Sequence, residues 1–97
     1  MLKVRSYEIR EPTIKDSFHR RSVQLKNDII ATLKTLGVNQ DNITIDLETM
    51  PIKKAPASVS WYFEGHNLYY SYTLLSKYVE NLYIVHKIIG IEVNRLI

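Results

Sequence analysis

Asp46 and Glu48 are the carboxylates whose spacing comes nearest to a catalytic arrangement. They stand two residues apart in Ile43-Thr44-Ile45-Asp46-Leu47-Glu48, where strict alternation predicts a half-buried strand. Both would then face outward and could share Mg²⁺, as in a nuclease. Any strand with one wet face gives the same pattern, however, and no companion Glu-x-Lys occurs. His19, His66 and His86 are scattered and form no metal-ligand spacing. His86 falls on the apolar stripe of a carboxy-terminal helix, where a packed, hydrogen-bonded imidazole is the plainer expectation. There is no Gly-rich phosphate loop and no Gly-x-Ser-x-Gly. No catalytic residue, metal or cofactor is therefore expected, and an enzyme is disfavoured.

The chemistry that the sequence does suggest is stacking. Trp61-Tyr62-Phe63-Glu64-Gly65-His66-Asn67-Leu68-Tyr69-Tyr70-Ser71-Tyr72 sets six aromatics in two strand-like runs around a Gly-containing turn. With Gly65-His66 as the turn, Phe63 pairs with Leu68, Tyr62 with Tyr69, Trp61 with Tyr70 and Val59 with Tyr72. Side chains alternate faces along a strand, so Val59, Trp61, Phe63, Leu68, Tyr70 and Tyr72 share the natural core face. Ser60, Tyr62, Tyr69 and Ser71 share the other. That second face is too polar for a core layer and too aromatic for an idle surface. Platforms for single-stranded nucleic acid look like this, each stacked base contributing about 1–3 kcal/mol. Tyrosine also suits strands intrinsically, and cross-strand aromatic pairs stabilise sheets without a ligand. On the residues alone the two readings stand level.

Basic residues add an electrostatic argument. At about 100° per residue, His19, Arg20, Lys26 and Lys34 fall on one flank of a predicted first helix, with Arg21 nearer its apolar stripe. Lys15 lies at that helix's start. Arg5, Arg10, Lys53 and Lys54 come from neighbouring segments. Clustered Lys and Arg is the footprint of phosphate binding; for each residue singly a solvated side chain is the better reading, and it is the cluster that favours phosphate. The net charge of +3 is mild and moves the odds little.

The elements that must position these groups are readable in outline. Ninety-seven residues make one domain, 1–97, with an ordinary apolar fraction. Residues 2–9 predict a first strand, imperfectly alternating, broken at Glu11-Pro12. Thr13 resembles a helix cap, with Asp16 three residues on. Phe18, Ser22, Leu25, Ile29, Leu33 and Leu36 then line one stripe, and Gly37 is placed to end the helix. Thr49 to Pro56 reads as a loop, Ala57–Glu64 and Leu68–Thr73 as hairpin arms, and Ser76 as the cap of a last helix. The expected fold is α+β, a β-α-β-β-β-α two-layer domain with a mostly antiparallel sheet packed by two long helices.

The last helix is apolar on two sides. Tyr78, Val79, Leu82, Val85, Ile89, Val93 and Leu96 form the stripe expected to cover the sheet. Ile84, Ile88 and Ile91 form a second, on roughly the opposite side. A two-layer monomer would expose it, which predicts a homodimer through Ile84, Ile88 and Ile91. The competing expectation is that the amino-terminal strand or a loop covers these residues.

Three resemblances bear on function. Helix, three strands, helix is also the order of the double-stranded RNA-binding domain. That family's Lys-rich start to its second helix is replaced here by Ser76-Lys77-Tyr78-Val79-Glu80, which leaves an analogy of topology. More extensively, Ala57-Ser58-Val59-Ser60-Trp61-Tyr62-Phe63 with Gly65, then Tyr78-Val79-Glu80-Asn81-Leu82, Ile88-Ile89 and Glu92-Val93, resemble a small domain found in viruses of bacteria and archaea. In some of those proteins it stands beside a J domain, though no His-Pro-Asp triplet occurs here. In size and composition the chain also looks like small proteins of crenarchaeal rod-shaped viruses, among which is a dimeric single-stranded DNA-binding protein that lacks an OB fold. Twelve Ile, eight Lys, seven Tyr and six Asn fit an AT-rich genome. What the resemblance implies is DNA processing in viral replication, beside viral replication proteins.

The combined expectation is a homodimeric, sequence-tolerant single-stranded DNA-binding protein, with RNA not separated from DNA. Arg5, Arg10, Lys15, His19, Arg20, Arg21, Lys26, Lys53 and Lys54 would track phosphates, and Tyr62 and Tyr69 would stack bases. The alternative is an interaction or structural accessory module for another viral or host protein. Absence of cysteine fits a reducing interior. No apolar run approaches the roughly 20 residues that span a bilayer, and the amino terminus lacks a signal-peptide core. A cytoplasmic protein, in the host cytoplasm if viral, without membrane association is expected.

Overall fold

The two apolar stripes of the last helix organise the molecule, because different parts of the chain bury each of them. The computed structural model describes residues 2–14 and 17–96. Its elements are β1 (Leu2–Val4), β2 (Tyr7–Ile9), α1 (Phe18–Lys34), a 3₁₀ turn (Gln40–Asn42), β3 (Ile43–Thr44), β4 (Ala57–Phe63), β5 (His66–Tyr72) and α2 (Tyr78–Leu96). The fold is α+β, as expected, with the strands in two antiparallel sheets, β1-β2 and β3-β4-β5. The Cα extents are 36 × 29 × 17 Å, so the molecule is flat. Among the described residues no helix is long and apolar enough to cross a membrane.

The broad stripe of α2 forms the main core. Val79, Leu82, Val85, Ile89 and Val93 pack with Leu25, Ile29 and Leu33 of α1 and with Ala57 and Val59 of β4. α1 lies against α2, and α2 lies against β4 and β5. Gly37, at φ 90°, ends α1: Val38 N–H donates to Leu33 O (3.4 Å) and Gly37 N–H to Lys34 O (3.0 Å), a Schellman motif. The start of α1 departs from expectation. The helix begins at Phe18 behind Ser17, which is left-handed (φ 51°) and makes no side-chain cap bond. Thr13 therefore does not cap it, while Lys15 and Asp16 lie outside the described residues.

The second stripe is covered within the chain, which corrects the expected dimer surface. Ile84 and Ile88 are 0% and 1% exposed, packed with Val4 and Ile9, and Ile91 is half-buried. The cause is local. Residues 2–9 are not one strand but a hairpin, turning through Arg5 and Ser6 at φ 50° and 73°. Leu2 pairs with Ile9 and Val4 with Tyr7, so the turn brings four apolar side chains to one face, and that face lies on α2. Arg95 donates to the Tyr7 hydroxyl and ties the hairpin to the end of α2.

The amino-terminal end of α2 is also held by other groups than expected. Tyr78 N–H donates to Lys53 O (2.8 Å) and Val79 N–H to Pro51 O (3.1 Å), so loop carbonyls satisfy donors assigned to Ser76. Ser76 Oγ instead bonds Glu80 Oε1 at 3.3 Å. Asn81, fully buried, accepts from Leu75 N–H and donates to Ala55 O, both at 2.9 Å. That one side chain joins the 49–56 loop, the segment after β5 and the helix. The Tyr78 hydroxyl donates to Asp46 O at 2.9 Å, and burial pushes its phenol up to about 12. Asp46 and Glu48 fall just past β3, whose ladder ends at Thr44.

Candidate nucleic-acid interface

The hairpin β4-β5 turns at Glu64-Gly65, both left-handed (φ 51° and 82°), one residue earlier than expected. Two successive left-handed residues make the type I′ turn that suits a two-residue hairpin. Phe63 therefore pairs with His66, Tyr62 with Asn67, Trp61 with Leu68, Ser60 with Tyr69 and Val59 with Tyr70. Every partner shifts by two residues from the expected pairing. A shift of two preserves the faces, because side chains alternate with period two. Tyr62 and Tyr69 still share a face, as diagonal neighbours about 7–8 Å apart rather than as a direct pair.

That face is the outer one. Helix α2 packs on the side carrying Ala57, Val59, Tyr70 and Tyr72. Tyr62 and Tyr69 point the opposite way and are 46% and 65% exposed, with Ser58, Ser60 and Ser71 around them. Two phenol rings on an open, uncharged serine background can stack planar groups.

The basic residues are not gathered at this face. His19 and Arg20 are exposed on α1, and Arg21 and Lys26 are half-buried there, in the helix layer on the other side of the sheet from the tyrosines. Ser17, Arg20, Arg21 and Gln24 line a shallow hollow of about 180 Å³, in which Arg21 Nη1 donates to Gln24 Oε1 (2.9 Å). Lys53 and Lys54 are exposed in the loop that leads into β4. Arg10 is exposed after β2. Arg5 is engaged within the chain: its guanidinium lies 4.5 Å over the Tyr70 ring, and Nη1 stands 3.4 Å from Glu92 Oε1. Lys15 lies outside the described residues. The basic residues of the expected patch thus belong to α1, the loop before β4 and the segment after β2, with Arg5 held inside the chain.

A feature missed from the sequence lies on the inner face of the same hairpin. Along the last turns of α2, Trp61, Phe63 and Leu68 meet Ile89, Val93 and Leu96 around a groove of about 290 Å³. Leu68 and Leu96 are 39% and 71% exposed. Alternation assigned Trp61, Phe63 and Leu68 to a core; Trp61 and Phe63 do pack against it, half-buried, while Leu68 is left exposed. The Tyr70 phenol, at the groove's wall, is pushed up by burial despite the opposing charge of Arg5.

His86 is half-buried, with Nδ1 enclosed and without a hydrogen-bond partner, so the expected bonded imidazole is not found. Burial lowers its pKa; Asp28 opposes this, and Lys87 and Arg21 reinforce it. Among the described residues no group of three or more His, Asp or Glu side chains could hold a metal ion. Compared with protein-family models, curated proteins and solved structures, the chain matches none.

Proposed function

We propose that this protein binds single-stranded nucleic acid without strong sequence preference, stacking bases on Tyr62 and Tyr69. The observation that carries the reading is the exposure of both rings on an open sheet face bordered by serines. Stacking is tolerant of sequence because every base has a π-face. Lys53 and Lys54 are exposed basic side chains at the entry to β4, the strand that carries Tyr62. The α1 group, with Arg20 and Arg21, would engage only a strand that passes around the molecule. A role in viral DNA replication is what the sequence resemblance implies, and DNA is accordingly the ligand to try first.

The test is a titration of labelled single- and double-stranded DNA of mixed sequence at two salt concentrations. Tighter binding to the single strand, weakening as salt rises, is expected, since each neutralised phosphate contributes a slope of about −0.7 on the log–log plot. No affinity at low salt would reject the proposal.

A second reading, a protein-interaction module, is favoured by one observation. The groove between Trp61, Phe63 and Leu68 of the hairpin and the last turns of α2 is apolar and partly exposed. It replaces Ile84 and Ile88 as the surface on which that reading rests. Pull-down of a protein partner, lost on Leu68→Asp, would support it.

A further inference from the structure

The sheet β3-β4-β5 has two edges, and they differ. The β3 edge is two residues long and gives way at once to irregular chain; a very short edge strand is one of the ordinary protections against strand addition. The β5 edge is seven residues long, His66-Asn67-Leu68-Tyr69-Tyr70-Ser71-Tyr72. It carries no proline, lysine, arginine or acidic residue, and its register with β4 runs from Phe63↔His66 to Ala57↔Tyr72 without a bulge. Among the described residues no strand pairs with its far side. The amino-terminal hairpin, which packs near Tyr70 and Tyr72, forms a sheet of its own.

The turn fixes which groups this edge presents. In a two-residue hairpin the pair flanking the turn, Phe63↔His66, exchanges both of its hydrogen bonds, and pairs alternate from there. The backbone N–H and C=O of His66, Leu68, Tyr70 and Tyr72 thus face β4. Those of Asn67, Tyr69 and Ser71 face outward.

We propose that β5 is a dimerisation edge, which pairs antiparallel with β5 of a second copy about a two-fold axis at Tyr69. In that register Tyr69 exchanges N–H and C=O with its own counterpart, and Asn67 does so with Ser71 of the other copy, leaving none of the outward groups unpaired. Inner-face Leu68, 39% exposed in the single chain, comes to lie opposite Tyr70 of the other copy, an apolar–aromatic cross-strand pair. A second copy is the occupant that fits because the paired segment carries no formal charge with His66 neutral. Like charges therefore never oppose one another across the axis. The result is one six-stranded sheet, β3-β4-β5-β5-β4-β3, whose outer face carries both pairs of Tyr62 and Tyr69. The pairing itself needs no nucleic acid; only its use as a doubled stacking platform rests on the function proposed above.

Sedimentation equilibrium of the intact chain at tens of micromolar tests this. The expected mass is twice the 11.4 kDa of one chain, falling to the single-chain value in Asn67→Pro. That substitution removes an outward N–H while keeping both tyrosines and every hydrogen bond to β4. Should Asn67→Pro lose its far-ultraviolet dichroism, Leu68→Lys at the same exposed edge replaces it, with the same expected fall in mass. A wild-type chain that sediments at the single-chain mass overturns the proposal, as does a folded edge variant that still sediments as a dimer. The two proposals separate cleanly. Single-chain mass with tyrosine-dependent DNA binding removes the dimer alone, whereas an Asn67-sensitive dimer with no affinity for DNA removes the binding function alone.

Discussion

The two faces of the β4-β5 hairpin are built from the same seven-residue strands, yet one is largely consumed by folding and the other is left open. On the inner face Ala57 and Val59 are 0% and 1% exposed against α2. On the outer face Tyr62 and Tyr69 stand 46% and 65% exposed. An aromatic on the inner face is sufficiently explained by burial, at roughly 25 cal/mol per Å² of apolar surface. One on the outer face has no such explanation. Aromatic content is thus a poor guide to function until each ring has been assigned to a face, and that assignment survives errors of register in steps of two.

Substitutions beneath the inner face should have the largest effects on stability. Leu82→Ala, at a fully buried core position of α2, is expected to cost about 2–5 kcal/mol, read as a lower midpoint in urea. Asn81→Ala should approach it. It leaves the Leu75 N–H and Ala55 carbonyl without their partner, at about 1–3 kcal/mol for each buried group stranded. By contrast, Tyr62→Ser or Tyr69→Ser should cost under about 1 kcal/mol, the range of a cross-strand pair. A large loss of stability from either serine variant would erase the distinction between the faces.

Acidification provides an intermediate effect, through His86 of α2. The imidazole of His86 has a lowered pKa in the folded chain, so the unfolded chain binds the proton more readily. Stability is then full above the ordinary value of 6.5 and falls as pH drops through it towards the folded value. Thermal midpoints measured across that range should decline, and His86→Gln should flatten the decline. An unchanged slope in that variant would move the titration to another group.

Much of this arrangement was legible in the sequence, because it follows from periodicity. The stripe Ser22, Leu25, Ile29, Leu33 of α1, the two stripes of α2 and the two faces of the hairpin are all where their spacing puts them. What was not legible depends on chain reversals without a sequence signal. Arg5-Ser6 turns left-handed with neither Gly nor Asn, and it converts an expected strand into the cover over Ile84 and Ile88. Glu64-Gly65, rather than Gly65-His66, closes the second hairpin, since glutamate at positive φ is not a turn preference that composition reveals. The candidate site was half legible. Alternation alone places Tyr62 and Tyr69 together, but the helical wheel of α1 gives no information on which side of the sheet that helix lies. Its arginines consequently stand apart from the tyrosines they were expected to assist.

The measurement that bears most directly on the open face is single-stranded DNA affinity of the Tyr62→Leu, Tyr69→Leu double variant against the unaltered chain at one fixed salt concentration. Leucine keeps apolar bulk and removes the π-face, so the fold should persist. The account predicts a loss of about 1–3 kcal/mol for each stacked base, or roughly five- to more than a hundredfold per tyrosine at 1.4 kcal/mol per decade. Equal affinity of the two proteins would contradict it, and would assign whatever binding remains to charge alone.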